Sequence, residues 1–121
     1  IDTFNYNAHT TASDALWAGL PVVTKQGYQF AARVSASLLN AIGLPELVTT
    51  TEDAYEALII ELATNPKKLN LIKNKLSANR LTQPLFDTKR YTRNFESGLQ
   101  KVYDLYFEGK APQDVWVDRE Q

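Results

Sequence analysis

The stretch at residues 2–24 constrains the fold of this chain more than any other part of the sequence. It reads DTFNYNAHTTASDALWAGLPVVT, in which a β-branched and aromatic run, a polar loop, a helix start and a second β-branched run follow one another directly. A strand, a helix and a strand joined in this way form a βαβ unit, which is parallel and right-handed almost without exception. The stretch therefore predicts an α/β fold in which the loop at 5–9 follows the carboxyl end of a strand.

The boundaries of this unit can be predicted from the same residues. Residues 1–4 are expected to be a buried strand, and residues 22–24 a second one. Between them a helix is expected to begin at Thr10 or Thr11 and to end at Gly19.

Helical patterns dominate the rest of the chain. A helix is expected at 29–41, with Phe30, Val34, Leu38 and Ile42 along one face, and residues 44–48 are expected to be a connection that leads into a possible short strand. Three further helices are expected after three capping positions, which are Thr50 or Thr51, Asn65 and Asp87. Because two or three strands accompany about five helices, we expect a helix-rich domain with a small, incomplete parallel sheet. Residues 1–109 are expected to belong to that domain and residues 110–121 to a tail or linker.

Composition narrows the classes of function. The net charge of −1 gives no reason to expect nucleic acid as a partner, and the basic face at 67–80 lacks interleaved aromatic side chains. The chain has no cysteine and one histidine, so a thiolate or His-rich metal site is excluded. No apolar run approaches the length of a membrane span, and a cytoplasmic location is expected. The first residue is Ile1 rather than methionine, so the chain is expected to be cut from a longer protein.

The residues around the first helix start predict an anion site. Unpaired backbone N–H groups at a helix start attract negative charge, and Thr10 and Thr11 add hydroxyl donors there. His9 supplies a further donor, and Asp14 lies one turn further on, where a carboxylate could accept from a pair of sugar hydroxyls. From the residues alone a second interpretation stays open, in which a threonine only caps the helix and Asp14 only interacts favourably with the helix dipole.

Three segments together resemble a known family. They are NAHTTASDALWAGLPVVT at 7–24, the pattern GxxFAxRVxASLLxAIGLPELV at 27–48, and QPLFD at 83–87. The chain is similar in these residues to the C-terminal end of the O-GlcNAc transferase family, including SPINDLY-like and bacterial TPR-containing glycosyltransferases.

The resemblance implies both a fold and a role. It implies the C-terminal part of the second Rossmann-like domain of a GT-B glycosyltransferase, the domain that binds the UDP-sugar donor. His9, Thr10 and Thr11 match family residues that contact the donor phosphates, and Asp14 matches the residue that binds the ribose. The donor is expected to be UDP-GlcNAc or a related UDP-sugar, with a protein acceptor and without a metal or other cofactor.

Some features depart from the family pattern or lie outside the chain. Ala8 stands where many members have glycine, and Tyr28 stands where an acidic residue often follows the glycine. The family's uracil-contacting residues, its candidate base and its TPR repeats would precede Ile1, so no catalytic residue is expected here and the segment should be inactive alone. A second hypothesis is a non-catalytic scaffold or interaction domain, for which an open sheet edge would favour self-association.

Overall fold

The structure, a computed structural model, describes residues 1–118. In that part of the chain five α-helices accompany a two-stranded parallel sheet, which confirms the predicted helix-rich α/β class. The helices are α1 (Thr10–Trp17), α2 (Val34–Ala41), α3 (Glu52–Thr64), α4 (Pro66–Asn79) and α5 (Thr88–Phe107). The strands are β1 (Thr24–Lys25) and β2 (Val48–Thr49), and single turns of 3-10 helix cover Phe30–Ala32, Pro45–Leu47 and Pro84–Phe86.

The sheet is formed by β1 and β2, with Thr24 opposite Val48 and Lys25 opposite Thr49. The Thr49 hydroxyl donates to the Thr24 carbonyl at 3.0 Å, and Gln26 N–H donates to the Thr49 carbonyl at 2.8 Å. Because α2 lies between two parallel strands, the crossover unit of this chain is β1–α2–β2. The possible short strand after the connection at 44–48 is therefore confirmed as β2, which begins at Val48.

The strand predicted at residues 1–4 is wrong. This segment makes one backbone hydrogen bond to the chain before β1, from Asp2 N–H to the Val23 carbonyl at 3.1 Å. The Asp2 side chain then accepts from the next backbone N–H, that of Thr3, at 2.8 Å, so the chain turns before a ladder can form. The predicted strand at 22–24 is shifted, because only Thr24 of those residues is paired while Val22 and Val23 are buried ahead of it.

The helix predicted at 29–41 is divided. A 3-10 turn at Phe30–Ala32 is separated from α2 by Arg33, whose φ and ψ of −121° and −9° are not helical. The break changes which face of the first turn is buried, so Ala32 is 3% exposed and Phe30 is 81% exposed, while Ile42 is fully buried as expected. A helical stripe predicted across a break cannot keep its register.

The helix starts after residue 50 follow the sequence closely. In each, the capping side chain accepts from the backbone N–H three residues further on. These pairs are Thr51 with Ala54 at 3.2 Å, Asn65 with Lys68 at 3.1 Å, and Asp87 with Arg90 at 3.0 Å.

The core of the chain lies between the sheet and the first four helices. Its residues are less than a tenth exposed and are mostly aliphatic. They are Leu16, Val22, Val23, Leu39, Ile42, Leu44, Leu47, Tyr55, Leu62, Ile72 and Leu76.

The chain divides into two compact units, Ile1–Phe86 and a second one beginning at Asp87. In the second unit α5 ends at Phe107, and the segment after Gly109 contacts the helix through a Lys101 Nζ bond to the Trp116 carbonyl at 2.7 Å. The tail predicted at 110–121 has its described part in this segment, and residues 119–121 lie outside the described residues. The domain boundary at 109 stays a prediction.

Candidate functional site

The loop before α1 is held by the buried side chain of Asp2. Its Oδ1 accepts from the backbone N–H groups of Thr3 at 2.8 Å and Ala8 at 2.7 Å. Its Oδ2 accepts from the Thr24 hydroxyl on β1 at 2.7 Å. The carboxylate therefore joins three parts of the chain: its first residues, the end of the loop and the first strand.

The main chain of Asp2 is fixed by Tyr55 on α3. The Tyr55 hydroxyl donates to the Asp2 carbonyl at 2.7 Å and accepts from the Asp2 N–H at 3.1 Å. Burial raises the pKa of Tyr55 above its ordinary value of 10.0; the charge of Asp2 adds to the rise, and the backbone hydrogen bond opposes it. The hydroxyl is therefore a neutral hydrogen-bonding group at physiological pH.

Asn7 joins the loop at 5–9 to the loop that follows β1. Its backbone N–H donates to the Ala31 carbonyl at 2.8 Å, and its side-chain amide donates to the Thr3 carbonyl at 2.8 Å. From the other side, the Ser35 hydroxyl donates to the Ala8 carbonyl at 2.9 Å. The two loops therefore form one surface at the carboxyl end of β1.

The start of α1 has unpaired donors. The first bond into the helix runs from Ser13 N–H to the His9 carbonyl at 3.1 Å, and the His9 side chain does not cap the helix. Among residues 1–118 the backbone N–H groups of Thr10, Thr11 and Ala12 find no acceptor. The first turn holds no acidic residue, so the partial positive charge of the helix start is not neutralised locally.

His9 lies at the rim of this helix start, between two aromatic rings. Its imidazole is stacked on Tyr6 with ring centroids 4.7 Å apart, and Phe30 meets it edge-on at 6.3 Å. Its Nε2 atom is buried and has no hydrogen-bond partner within the described part of the chain. A buried polar atom of this kind is uncommon in folded proteins, where water, an ion or a ligand usually supplies the missing partner.

The other predicted site residues lie on α1 itself. Thr10 and Thr11 are exposed in its first turn, and neither hydroxyl has a protein partner among residues 1–118. Asp14 is exposed and follows them by four and three positions, which places the three residues on one side of the helix. The structure therefore brings His9, Thr10 and Thr11 together, with Asp14 one turn away.

The loop after β1 turns tightly at Gly27. Its N–H donates to the Ala32 carbonyl at 2.8 Å, and a Cβ at Gly27 would lie 2.7 Å from the Ala32 Cβ. Such a distance is too short for two carbon atoms, so the position requires glycine for close approach.

Sequence reasoning missed the residues that hold the loop. The sequence pattern predicts Asp2 to lie in a buried strand and indicates no role for Asn7 or Ser35, yet all three residues are at most 7% exposed. One signal was available, because a carboxylate within a run expected to be buried must have hydrogen-bond donors around it.

Neither a metal-binding cluster nor a membrane-spanning helix is found among residues 1–118. Within them no group of three or more His, Cys, Asp or Glu residues could hold a metal ion. Of the helices described there, none is long and apolar enough to cross a membrane.

A parallel β1–α2–β2 crossover beside the uncapped, hydroxyl-bearing start of α1 defines an α/β domain whose geometry suits an anion. The chain belongs to glycosyl transferase family 41, whose family model matches residues 1–95. This membership confirms the resemblance seen in the sequence.

Relatives of known name and structure agree with this membership. The chain is 40% identical over 118 residues to the "Probable UDP-N-acetylglucosamine–peptide N-acetylglucosaminyltransferase SEC" of Arabidopsis thaliana, covering 97% of this chain and 12% of that protein. It is 37% identical over 109 residues to the UDP-N-acetylglucosamine–peptide N-acetylglucosaminyltransferase of Caenorhabditis elegans, covering 90% of this chain and 10% of that protein.

A solved structure shares the fold. A mutant of the Thermobaculum terrenum O-GlcNAc transferase superposes with a TM-score of 0.79 at 31% identity, over 84% of this chain and 20% of that one. The chain thus corresponds to one segment of such a glycosyltransferase domain, and it spans 12% or less of the length of the two curated relatives.

Proposed function

We propose that the protein containing this chain transfers N-acetylglucosamine from UDP-GlcNAc, or a related sugar from its UDP donor, to serine or threonine hydroxyls of proteins. In this proposal the segment binds the diphosphate and ribose of the donor. The observation that carries it is the uncapped start of α1, beside which the buried Nε2 of His9 has no partner among residues 1–118. Relatives at 40% and 37% identity carry names that state this activity, which supports the proposal.

Each predicted site residue has a role in this proposal. His9, Thr10 and Thr11 donate hydrogen bonds to the phosphate oxygens, together with the free N–H groups of the first helical turn. Asp14 accepts from the ribose hydroxyls. Donors fixed in this way stabilise the negative charge that develops on UDP as the sugar leaves, so no metal or other cofactor is required.

The rest of the enzyme follows from the same proposal. The domain is the second of a GT-B pair, TPR repeats precede the catalytic part, and the protein acts in the cytoplasm. The catalytic base and the uracil contacts come from residues outside this chain, so the segment alone has no transferase activity.

A transfer assay tests the proposal. The full-length protein is incubated with radiolabelled UDP-GlcNAc and a serine- and threonine-containing acceptor protein, with and without EDTA. We expect transfer that EDTA leaves unchanged and UDP inhibits. Absence of transfer, or transfer that requires a divalent cation, would contradict the proposal.

A second candidate is a scaffold that binds another protein through α5. It is favoured by a row of large apolar side chains along that helix that are more than half exposed. They are Tyr91, Phe95, Leu99, Val102, Tyr103, Tyr106 and Phe107. Titration with UDP separates the two candidates, because a scaffold does not require a donor nucleotide. Sedimentation of the chain tests the self-association that this candidate predicts, and a monomer at high concentration would count against it.

A further inference from the structure

We propose that Asp2 is a positioning residue for the donor diphosphate, because it fixes the backbone that leads into the start of α1. This inference rests on the proposed function. Asp2 itself touches no part of the donor in this proposal, and it acts through Ala8 and His9.

The carboxylate has the contacts that such a role requires. It is 7% exposed and has three donors, the Thr3 and Ala8 N–H groups and the Thr24 hydroxyl, all within 2.8 Å. Both carboxylate oxygens are therefore engaged by donors of the protein itself. A buried carboxylate with donors to both of its oxygens is a rigid anchor.

The peptide groups around Ala8 are held from both sides. Asp2 binds the Ala8 N–H at 2.7 Å, and the Ser35 hydroxyl binds the Ala8 carbonyl at 2.9 Å. The Ala8 carbonyl belongs to the peptide group that ends at His9 N–H, so these two bonds set the direction in which the chain enters α1. His9, Thr10 and Thr11 follow directly from that peptide.

The bonds to Asp2 should affect UDP binding because they order the loop before α1 in advance. A loop that is already ordered does not lose conformational entropy when the ligand binds, whereas a loop released from its anchor does. Removing the carboxylate should therefore weaken UDP binding even in molecules that remain folded. A role in stability alone would lower the melting temperature and leave the affinity of the folded molecules unchanged.

The test uses four variants of the full-length protein, with UDP affinity measured by calorimetric titration and stability by thermal melting. We expect Asp2→Ala to raise the dissociation constant of UDP about tenfold, the scale of a hydrogen bond to a charged group. Asp2→Asn keeps one oxygen that can accept from both N–H groups, so we expect the rise to stay within about twofold.

Thr24→Val keeps the shape of a buried side chain and removes one donor to the carboxylate. We expect a rise of about threefold in the dissociation constant, which is smaller than that for Asp2→Ala because two of the three bonds to Asp2 remain. This variant also keeps the proposal testable if Asp2→Ala does not fold.

Tyr55→Phe is the matched control for stability. It removes two buried hydrogen bonds to the main chain of Asp2 but leaves all three bonds to the carboxylate. We expect a lower melting temperature and a UDP affinity within about twofold of wild type.

The outcomes separate this inference from the proposed function. If wild-type protein does not bind UDP, the proposed function fails. If it binds UDP, and folded Asp2→Ala and Thr24→Val bind equally well, the positioning role is overturned while the proposed function stands. A loss of affinity in Tyr55→Phe equal to that in Asp2→Ala would also overturn it, because general destabilisation would then explain both.

Discussion

The imidazole of His9 is stacked on the ring of Tyr6, with centroids 4.7 Å apart and an interplanar angle of 16°. Tyr6 is itself 66% exposed, so its second face is open to solvent. The stack limits the rotation of the histidine ring at the start of α1. Tyr6 thereby helps to fix the orientation of the imidazole that the proposal assigns to the donor diphosphate.

Replacing Tyr6 by alanine is expected to weaken UDP binding about two- to tenfold, because an aromatic pair of this kind contributes about 0.5–1.5 kcal/mol. Tyr6→Phe keeps the ring and should keep the affinity. Tyr28→Ala is the matched control, since Tyr28 lies in the neighbouring loop and is fully exposed. Competition with a fluorescent UDP analogue measures all three, and equal affinity in Tyr6→Ala and Tyr28→Ala would show that the stack has no role in binding.

The ribose contact proposed for Asp14 predicts a change in nucleotide selectivity. Wild-type protein should bind UDP more tightly than 2′-deoxy-UDP, by about tenfold for one hydrogen bond to a carboxylate. Asp14→Asn has a weaker acceptor and should lose most of that preference. Calorimetric titration with both nucleotides measures the ratio. A ratio that is the same in wild type and variant would exclude a contact between Asp14 and the ribose.

The packing of α4 predicts a contrast between two leucines of the same helix. Leu76 is fully buried, so Leu76→Ala should lower the free energy of unfolding by about 2–5 kcal/mol. Leu71 is 69% exposed, and Leu71→Ala should change it by less than about 0.5 kcal/mol. Urea denaturation of the two variants makes the comparison, and similar midpoints would contradict the position of α4 in the core.

The pKa of Tyr55 predicts a loss of stability at high pH. Its value in the folded chain is raised by burial above 10.0, the ordinary value expected in the unfolded chain. The contribution of the neutral Tyr55 hydroxyl to the free energy of unfolding is thus fully present below pH 10. It is lost as the pH rises through the pKa of Tyr55 in the folded chain. The difference between the ultraviolet titration curves of wild type and Tyr55→Phe isolates this group. A midpoint at or below pH 10 in that difference would contradict the burial of the hydroxyl.

Much of the helical structure could be predicted from sequence, because capping is local. Thr51, Asn65 and Asp87 each accept from an N–H three residues away, so the signal and the contact lie within one turn. The strands were less predictable, since a ladder depends on distant partners. Residues 1–4 have a strand-like composition, but a bond between the Asp2 side chain and Thr3 N–H turns the chain instead.

The candidate site, too, could be predicted from sequence only in part. Residues 9–14 could be put forward as a candidate site because a helix start, its hydroxyls and its carboxylate are adjacent in sequence. The anchors Asp2, Thr24 and Ser35 could not be assigned, because the hydrogen bonds that tie them to distant parts of the chain span between 6 and 27 residues. The positions of exposed aromatic rings such as Tyr6 likewise depend on how the two loops meet.

Titration of the full-length protein with UDP tests the central claim most directly, with His9→Ala and Thr11→Val compared against wild type. Thr92→Val, an exposed threonine on α5, is the matched control. We predict that wild type and Thr92→Val bind UDP equally, and that His9→Ala and Thr11→Val each bind about tenfold more weakly or worse. Unchanged UDP affinity in both the His9 and the Thr11 variants would contradict the claim that the start of α1 binds the donor diphosphate.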